Sequence, residues 1–245
     1  MSELKIIDKQ KSEFVSIASH QLRSPLTAIR GYASMILDGN FGTPPPEMIE
    51  PIDRIHESAK MMTFSIDDFL NVSRIESGNM KYELTVFNIA NQARQIVADM
   101  QVEAARAHIT LTFESTCVGD GLVSADLGKT QQVLHNLINN AIKYTPNGGI
   151  KVQVQDDSRL DKIYIQISDT GIGMSAATIA DLFQKFSRAN NANSVNIKGT
   201  GLGLFVAREM AAAMGGNISA YSDGDGKGSR FAFTLPAATK ATSVN

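Results

Sequence analysis

The stretch SHQLRSPL, Ser19 to Leu26, sets a histidine, a glutamine, a serine and a proline into what reads as one long helix. A helix turns about 100° per residue, so His20 lies about 200° from both Ala18 and Leu22 and faces away from the apolar seam. A neutral imidazole with a pKa near 6.5 offers a free ring nitrogen at neutral pH, so this side chain reads either as an ordinary surface residue or as a nucleophile. Five residues on, Pro25 removes a helix hydrogen bond and imposes a bend at a cost of about 3 kcal/mol. Such a bend is either a tolerated kink or a device that lets the helix move beside a residue with two partners to meet.

Three more clusters follow in the chain. In QQVLHNLINNAIKYTPNGG, Asn136, Asn140 and Lys143 share one helical face, with Tyr144 next in sequence, while Leu134, Leu137, Ile138 and Ile142 supply apolar contacts. Amide oxygens can coordinate Mg²⁺ alongside phosphate oxygens, and a lysine adds positive charge, although such a face is also what a solvated helix presents. SDTGIG places Asp169 at the end of an apolar strand, where its carboxylate could accept the amino group of a purine, and Gly171 and Gly173 would let the backbone approach a base closely. KGTGLGLFVAREM opens a helix with Gly199, Gly201 and Gly203; amides at a helix N-terminus bind phosphate, and glycine leaves them unobstructed. It is not a Walker A loop, because the closing Lys-Ser/Thr is absent, and no strand directly precedes it as in a dinucleotide loop.

The elements that must hold these residues fall into two groups. Val15, Ala18, Leu22, Leu26, Ile29, Ala33 and Ile36 recur at gaps of three and four, which predicts a helix over about Ile6 to Leu37. DGNFGTPPPE breaks it, and Ile52, Ile55, Ala59, Met62, Ile66 and Phe69 predict a second helix that SGN closes near Glu76. Two long helices with a short loop form an antiparallel hairpin; its stripes would be buried by dimerisation into a four-helix bundle or by folding back on the chain. After Gly78 the texture changes to short strands and helices, with helices predicted from about Ala90 to Ala107, Leu127 to Tyr144 and Leu202 to Met214, and a mobile segment from Gly171 to Thr200. This arrangement predicts an α+β sandwich with helices on one sheet face.

Composition narrows the classes. The 245 residues carry 23 Lys+Arg against 25 Asp+Glu, so no overall basic field argues for nucleic acid or an anionic membrane. The single cysteine, Cys117, excludes an internal disulfide and a cysteine-rich metal site. No apolar run approaches the roughly 20 residues of a membrane span, so a soluble chain is expected, with any sensory or membrane portion lying upstream.

Taken together, the clusters resemble the catalytic core of two-component sensor histidine kinases from about Ile6 to Pro236. FVSIASHQLRSPL is similar to the H box, NLINNAIKYTP to the N box, DTGIG and GTGLGL to the two glycine boxes, LFQKFSR to the F box, and GSRFAFTLP to the closing strand. The resemblance implies a dimerisation and phosphotransfer hairpin over residues 1–78, a Bergerat-fold ATP-binding domain over 79–237, and a flexible tail over 238–245. It implies phosphorylation of His20 on Nε2 by ATP. Asn136 and Asn140 would hold Mg²⁺, and Lys143 and Tyr144 would line the nucleotide site. Asp169 would select adenine in a pocket shaped by Gly171 and Gly173. Gly199, Gly201, Leu202 and Gly203 would form the phosphate end of the lid, and Arg188 would reach the γ-phosphate. Phe183 and Phe186 would anchor the lid. The implied partners are a second copy of the chain and the receiver domain of a response regulator, and the implied location is cytoplasmic.

One position departs from the family pattern. Many members carry Glu or Asp directly after the phosphoacceptor histidine, whereas here stands Gln21, which can accept a hydrogen bond but cannot take up a proton. Ser24 stands where phosphatase-competent relatives often have Thr or Asn, and its hydroxyl could orient a hydrolytic water. Two other functions compete: an ATPase of the wider superfamily that uses closure over ATP to drive motion, and a degenerate kinase serving as a dimeric scaffold.

Overall fold

The computed structural model describes residues 3–117, 121–157, 160–187 and 200–238, without the side chains of residues 3–16 and 20. The chain divides into two compact units, Met1–Met80 and Lys81–Asn245.

The first unit is a helical hairpin. Helix α1 (Glu3–Leu37) runs through Pro25, and helix α2 (Pro46–Glu76) starts with proline at its first position, where no intrahelical N–H is required. Pro25 has no N–H to offer the carbonyl of Gln21 one turn back, so the helix loses a bond directly beside residue 20. The joining loop turns at Gly39 and Gly42, both at positive φ, and α2 ends at Ser77 with Gly78 in the left-handed region. Arg23 pairs with Asp67 across the two helices. Burial sorts the apolar stripe by sevens. Leu26 and Ala33 of α1, with Ile52 and Ala59 of α2, are buried, whereas Leu22 and Ile29, with Ile55, Met62 and Phe69, stand exposed. The hairpin therefore uses half of its seam for itself and presents the other half outward.

The second unit is an α+β sandwich. Strand β1 (Leu84–Asn88) pairs antiparallel with β3 (Leu122–Asp126) as a small ribbon. A five-stranded sheet has the order β2 (Ile109–Ser115), β4 (Gly148–Asp157), β5 (Lys162–Asp169), β7 (Ser229–Pro236), β6 (Asn217–Tyr221). Only β2 and β4 run parallel. Period-two alternation buries Ile150, Val152 and Val154, then Ile163, Ile165 and Ile167, then Phe231, Phe233 and Leu235 on one face. Helices α3 (Ile89–Arg106), α4 (Leu127–Tyr144) and α6 (Gly203–Ala213) pack on that face. Each fully buried large aliphatic side chain contributes about 1.5–3 kcal/mol, and α4 alone brings Val133, Leu134, Leu137 and Ile138 to zero exposure.

The segment expected to be mobile from Gly171 onward contains a short helix, α5 (Ala176–Asp181), where Ser175 Oγ accepts the N–H of Thr178. No helix among the described residues is long and apolar enough to cross a membrane.

Candidate functional site

Helix α4 starts where Asp126 caps it, Oδ1 accepting from Lys129 N at 2.9 Å while Oδ2 accepts from Glu83 N at 2.8 Å. Burial pushes this carboxyl up, but the backbone donors, led by Glu83 and Lys129, outweigh it and hold the group below the usual carboxylate range. The cap fixes the helix that carries the amide pair. One turn apart, Asn140 Nδ2 donates to Asn136 Oδ1 at 3.0 Å, so the Asn140 oxygen is turned away from its neighbour. Lys143 continues that face and is exposed, and Tyr144 is half-buried at the end of the helix.

The other clusters close on this helix. Gly203, the first residue of α6, lies so near Asn136 that a Cβ there would collide with its amide nitrogen, so the glycine-opened helix and the amide pair meet directly. Leu202, just before it, is buried. At the far end of α4, Ile172 N donates to the carbonyl of Tyr144 at 3.0 Å, and a Cβ at Gly171 would strike the same carbonyl. The demand for glycine at 171 is thus already made by the protein's own backbone, not only by the approach of a base.

Asp169 ends β5 at 8% exposure. Its Oδ1 accepts from Gly171 N at 2.9 Å and Ser229 N at 3.1 Å, and among the described residues its Oδ2 has no hydrogen bond. Burial raises its pKa, and the two backbone donors offset part of that rise. The result is a buried, oriented carboxyl with one oxygen committed. One residue past α4, Thr145 is 2% exposed and its hydroxyl has no hydrogen-bond partner among the described residues.

The aromatic pair separates. Phe183 is buried beneath the guanidinium of Arg208 at 4.9 Å, whereas Phe186, at φ 60°, is 66% exposed among the described residues. Lys185 sits over the ring of Phe205 in α6 at 5.0 Å, and Gly201 lies against the backbone of Phe186 and Ser187. Arg188 and Gly199 lie outside the described residues, as does the side chain of His20. Gln21 and Ser24 are exposed on α1. Of the expected residues, Asn136, Asn140, Tyr144, Asp169, Gly171, Leu202 and Gly203 come together around α4.

The sequence reading missed Ser222 and the glycines at 224 and 226, and gave Gly228 no role beyond opening the closing strand GSRFAFTLP. Gly226 N donates to Ile172 O at 2.6 Å and Gly228 N to Gly171 O at 3.1 Å, so a second glycine-rich turn, between β6 and β7, backs the first. The spacing GDGKG between two strands was the available signal.

An amide pair on a helix, a buried aspartate at a strand end and a glycine-opened helix thus sit together on a mixed sheet covered on one face. Residues 125–239 match the family described as histidine kinase-, DNA gyrase B- and HSP90-like ATPase, and residues 10–78 match the His Kinase A phospho-acceptor domain. The circadian input-output histidine kinase CikA of Synechococcus elongatus is 33% identical over 231 residues, which are 94% of this chain and 30% of that protein. Full-length ShkA, crystallised in complex with AMPPNP, superposes with a TM-score of 0.72 at 24% identity, over 93% of this chain and 46% of that one. Histidine kinase ThkA, crystallised in complex with response regulator protein TrrA, gives 0.60 at 21% identity, over 97% of this chain and 68% of that one. The chain belongs to the sensor histidine kinase family and spans less than half the length of the curated relatives it matches.

Proposed function

We propose that this chain binds ATP in its second unit, transfers the γ-phosphoryl group to Nε2 of His20, and passes it to an aspartate of a response-regulator receiver. Residues 1–78 serve as the dimerisation and phosphotransfer domain, residues 79–237 as the catalytic domain, and 238–245 as a tail, in the cytoplasm. The observation that carries this reading is the meeting of Gly203 with Asn136: it sets the N-terminus of α6, with its inward-pointing amides, against the amide pair of α4. The AMPPNP in ShkA and the regulator bound to ThkA support the nucleotide and the partner for a chain of the same fold.

Asp169 accepts the adenine amino group on Oδ2, while Tyr144 lines the base and Lys143 offsets phosphate charge. Arg188, Gly199, Gly201 and Leu202 form the triphosphate end. The oxygens of Asn140 and Asn136 suit a hard cation; neutral amides bind Mg²⁺ weakly unless phosphate oxygens complete the set, as a triphosphate would. When bound, Mg²⁺ neutralises phosphate charge. In the transfer, the bond from the γ-phosphorus to the bridging oxygen breaks, the N–P bond to His20 forms, and ADP leaves. Gln21 can hold the ring in the tautomer that frees Nε2 but cannot accept its proton, so orientation replaces base assistance there. The carbonyl freed by Pro25 marks the place where α1 yields, letting His20 meet first the ATP unit and then the receiver. Ser24 orients a water for removal of phosphate from the regulator.

The test is incubation with γ-labelled Mg-ATP, then addition of a purified receiver domain. Label appears on the chain and moves to the receiver. Label released only as inorganic phosphate would favour the ATPase reading instead.

A further inference from the structure

The hydroxyl of Ser222, one residue past β6, is where the two glycine-rich turns are joined. Ser222 Oγ accepts the N–H of Met174 at 3.0 Å and that of Gly224 at 3.3 Å, and its one proton goes to the carbonyl of Gly228 at 2.6 Å, which lies nearer than the competing carbonyl of Gly224 at 3.2 Å. A serine hydroxyl has one proton and two lone pairs, so these bonds use its whole capacity. The turns it joins are in backbone contact, since a Cβ on Gly173 would collide with the carbonyl of Gly224.

The third bond matters most. The carbonyl of Gly228 and the N–H of Ser229 belong to one planar peptide and point in opposite directions. Ser222 grips the carbonyl side, and the N–H side donates to Asp169 Oδ1 at 3.1 Å. Rotating that peptide would take a donor from Asp169. The other donor, Gly171 N, belongs to the turn that Ser222 holds through Met174. One hydroxyl thus stands behind both bonds that orient the aspartate.

We propose that Ser222 is a positioning residue for base recognition: it fixes the Gly228–Ser229 peptide and the turn after Asp169, and so holds the Asp169 carboxylate ready for a purine amino group. The inference rests on the reading of this unit as an ATP site. A serine that merely tied two loops together would affect stability without affecting the choice of base.

The experiment compares the full chain with Ser222→Ala and Ser222→Thr, measuring binding of ATP and GTP by calorimetry. Loss of the hydroxyl weakens ATP about tenfold, as expected for a broken part-buried polar contact, and changes GTP binding less than about twofold. The preference for adenine shrinks, the effect on phosphorylation falls on KM more than on kcat, and Ser222→Thr restores both. Unchanged ATP binding in Ser222→Ala, or equal weakening of both nucleotides, would overturn the inference alone. Failure of the wild-type chain to bind ATP would overturn the underlying reading with it. If Ser222→Ala does not fold, hydrogen exchange on the wild type decides. The Met174 amide slows with AMPPNP and not with inorganic tripolyphosphate, whereas no slowing, or equal slowing with both, contradicts the role.

Discussion

The hairpin and the sandwich solve the same problem differently. In the sandwich, apolar positions of β4, β5 and β7 and of three helices close on one another, leaving Val133, Leu134, Ile165 and Phe233 without exposure. In the hairpin, Leu26, Ala33, Ile52 and Ala59 close, while Leu22, Ile29, Ile55, Met62 and Phe69 remain open and Ala18, Ile36 and Ile66 are half-buried. The sandwich holds its core within one chain, while the hairpin holds one half of a core. If residues 1–78 dimerise as proposed above, a pair of such halves makes a four-helix bundle.

Breaking the contrast at its strongest point gives the largest effect. Ile55→Glu with Met62→Glu puts two charges on the open stripe and weakens self-association at least about 100-fold, since each buried apolar side chain of this size is worth about 1.5–3 kcal/mol. Sedimentation equilibrium reads this, and an unchanged dimer would mean the stripe faces something else. Leu137→Ala, in the sandwich, costs about 3 kcal/mol through the cavity it leaves, and its thermal shift does not depend on protein concentration.

Asp126→Ala removes the cap of α4 and costs about 1–2 kcal/mol in denaturant titrations. The sign of its pH dependence follows from its depressed pKa. Its contribution is complete above the unfolded value near 4 and is lost as pH falls through the lower folded value. The variant therefore loses part of the wild type's acid sensitivity below about pH 4. The smallest effect belongs to Thr145→Val, which replaces an unpartnered buried hydroxyl by a methyl of similar shape. The melting temperature holds or rises, with at most about 1 kcal/mol gained; a clear loss would mean the hydroxyl has a partner in solution.

Much of this was legible in the residues because the periodicities were strong. The alternation of β5 and the three-and-four spacing of α4 placed Asp169 at a strand end and Asn136 and Asn140 on one face, where the structure has them. What spacing could not convey was contact between segments distant in sequence. Gly171 is needed against Tyr144, and Gly203 against Asn136, for reasons visible only once the chain folds. Helix α5 escaped notice because six residues with no buried side chain give no apolar period, although Ser175 carried the capping signal. Spacing also could not convey that Phe183 is buried while Phe186, on a left-handed backbone, stands exposed among the described residues. Ser222 acts through backbone atoms alone, and a serine bonded only to main chain leaves no pattern in sequence.

The central claim is that the two units divide one reaction, the sandwich supplying the phosphoryl group and the hairpin receiving it at His20. The most direct measurement is incubation of the full chain and of His20→Ala with radiolabelled Mg-ATP, followed by acid and alkali treatment of the protein-bound label. The account predicts label that survives alkali, is lost in acid and is absent from His20→Ala despite intact ATP binding. Label that persists in the variant, or a wild type that binds ATP and acquires none, would contradict it.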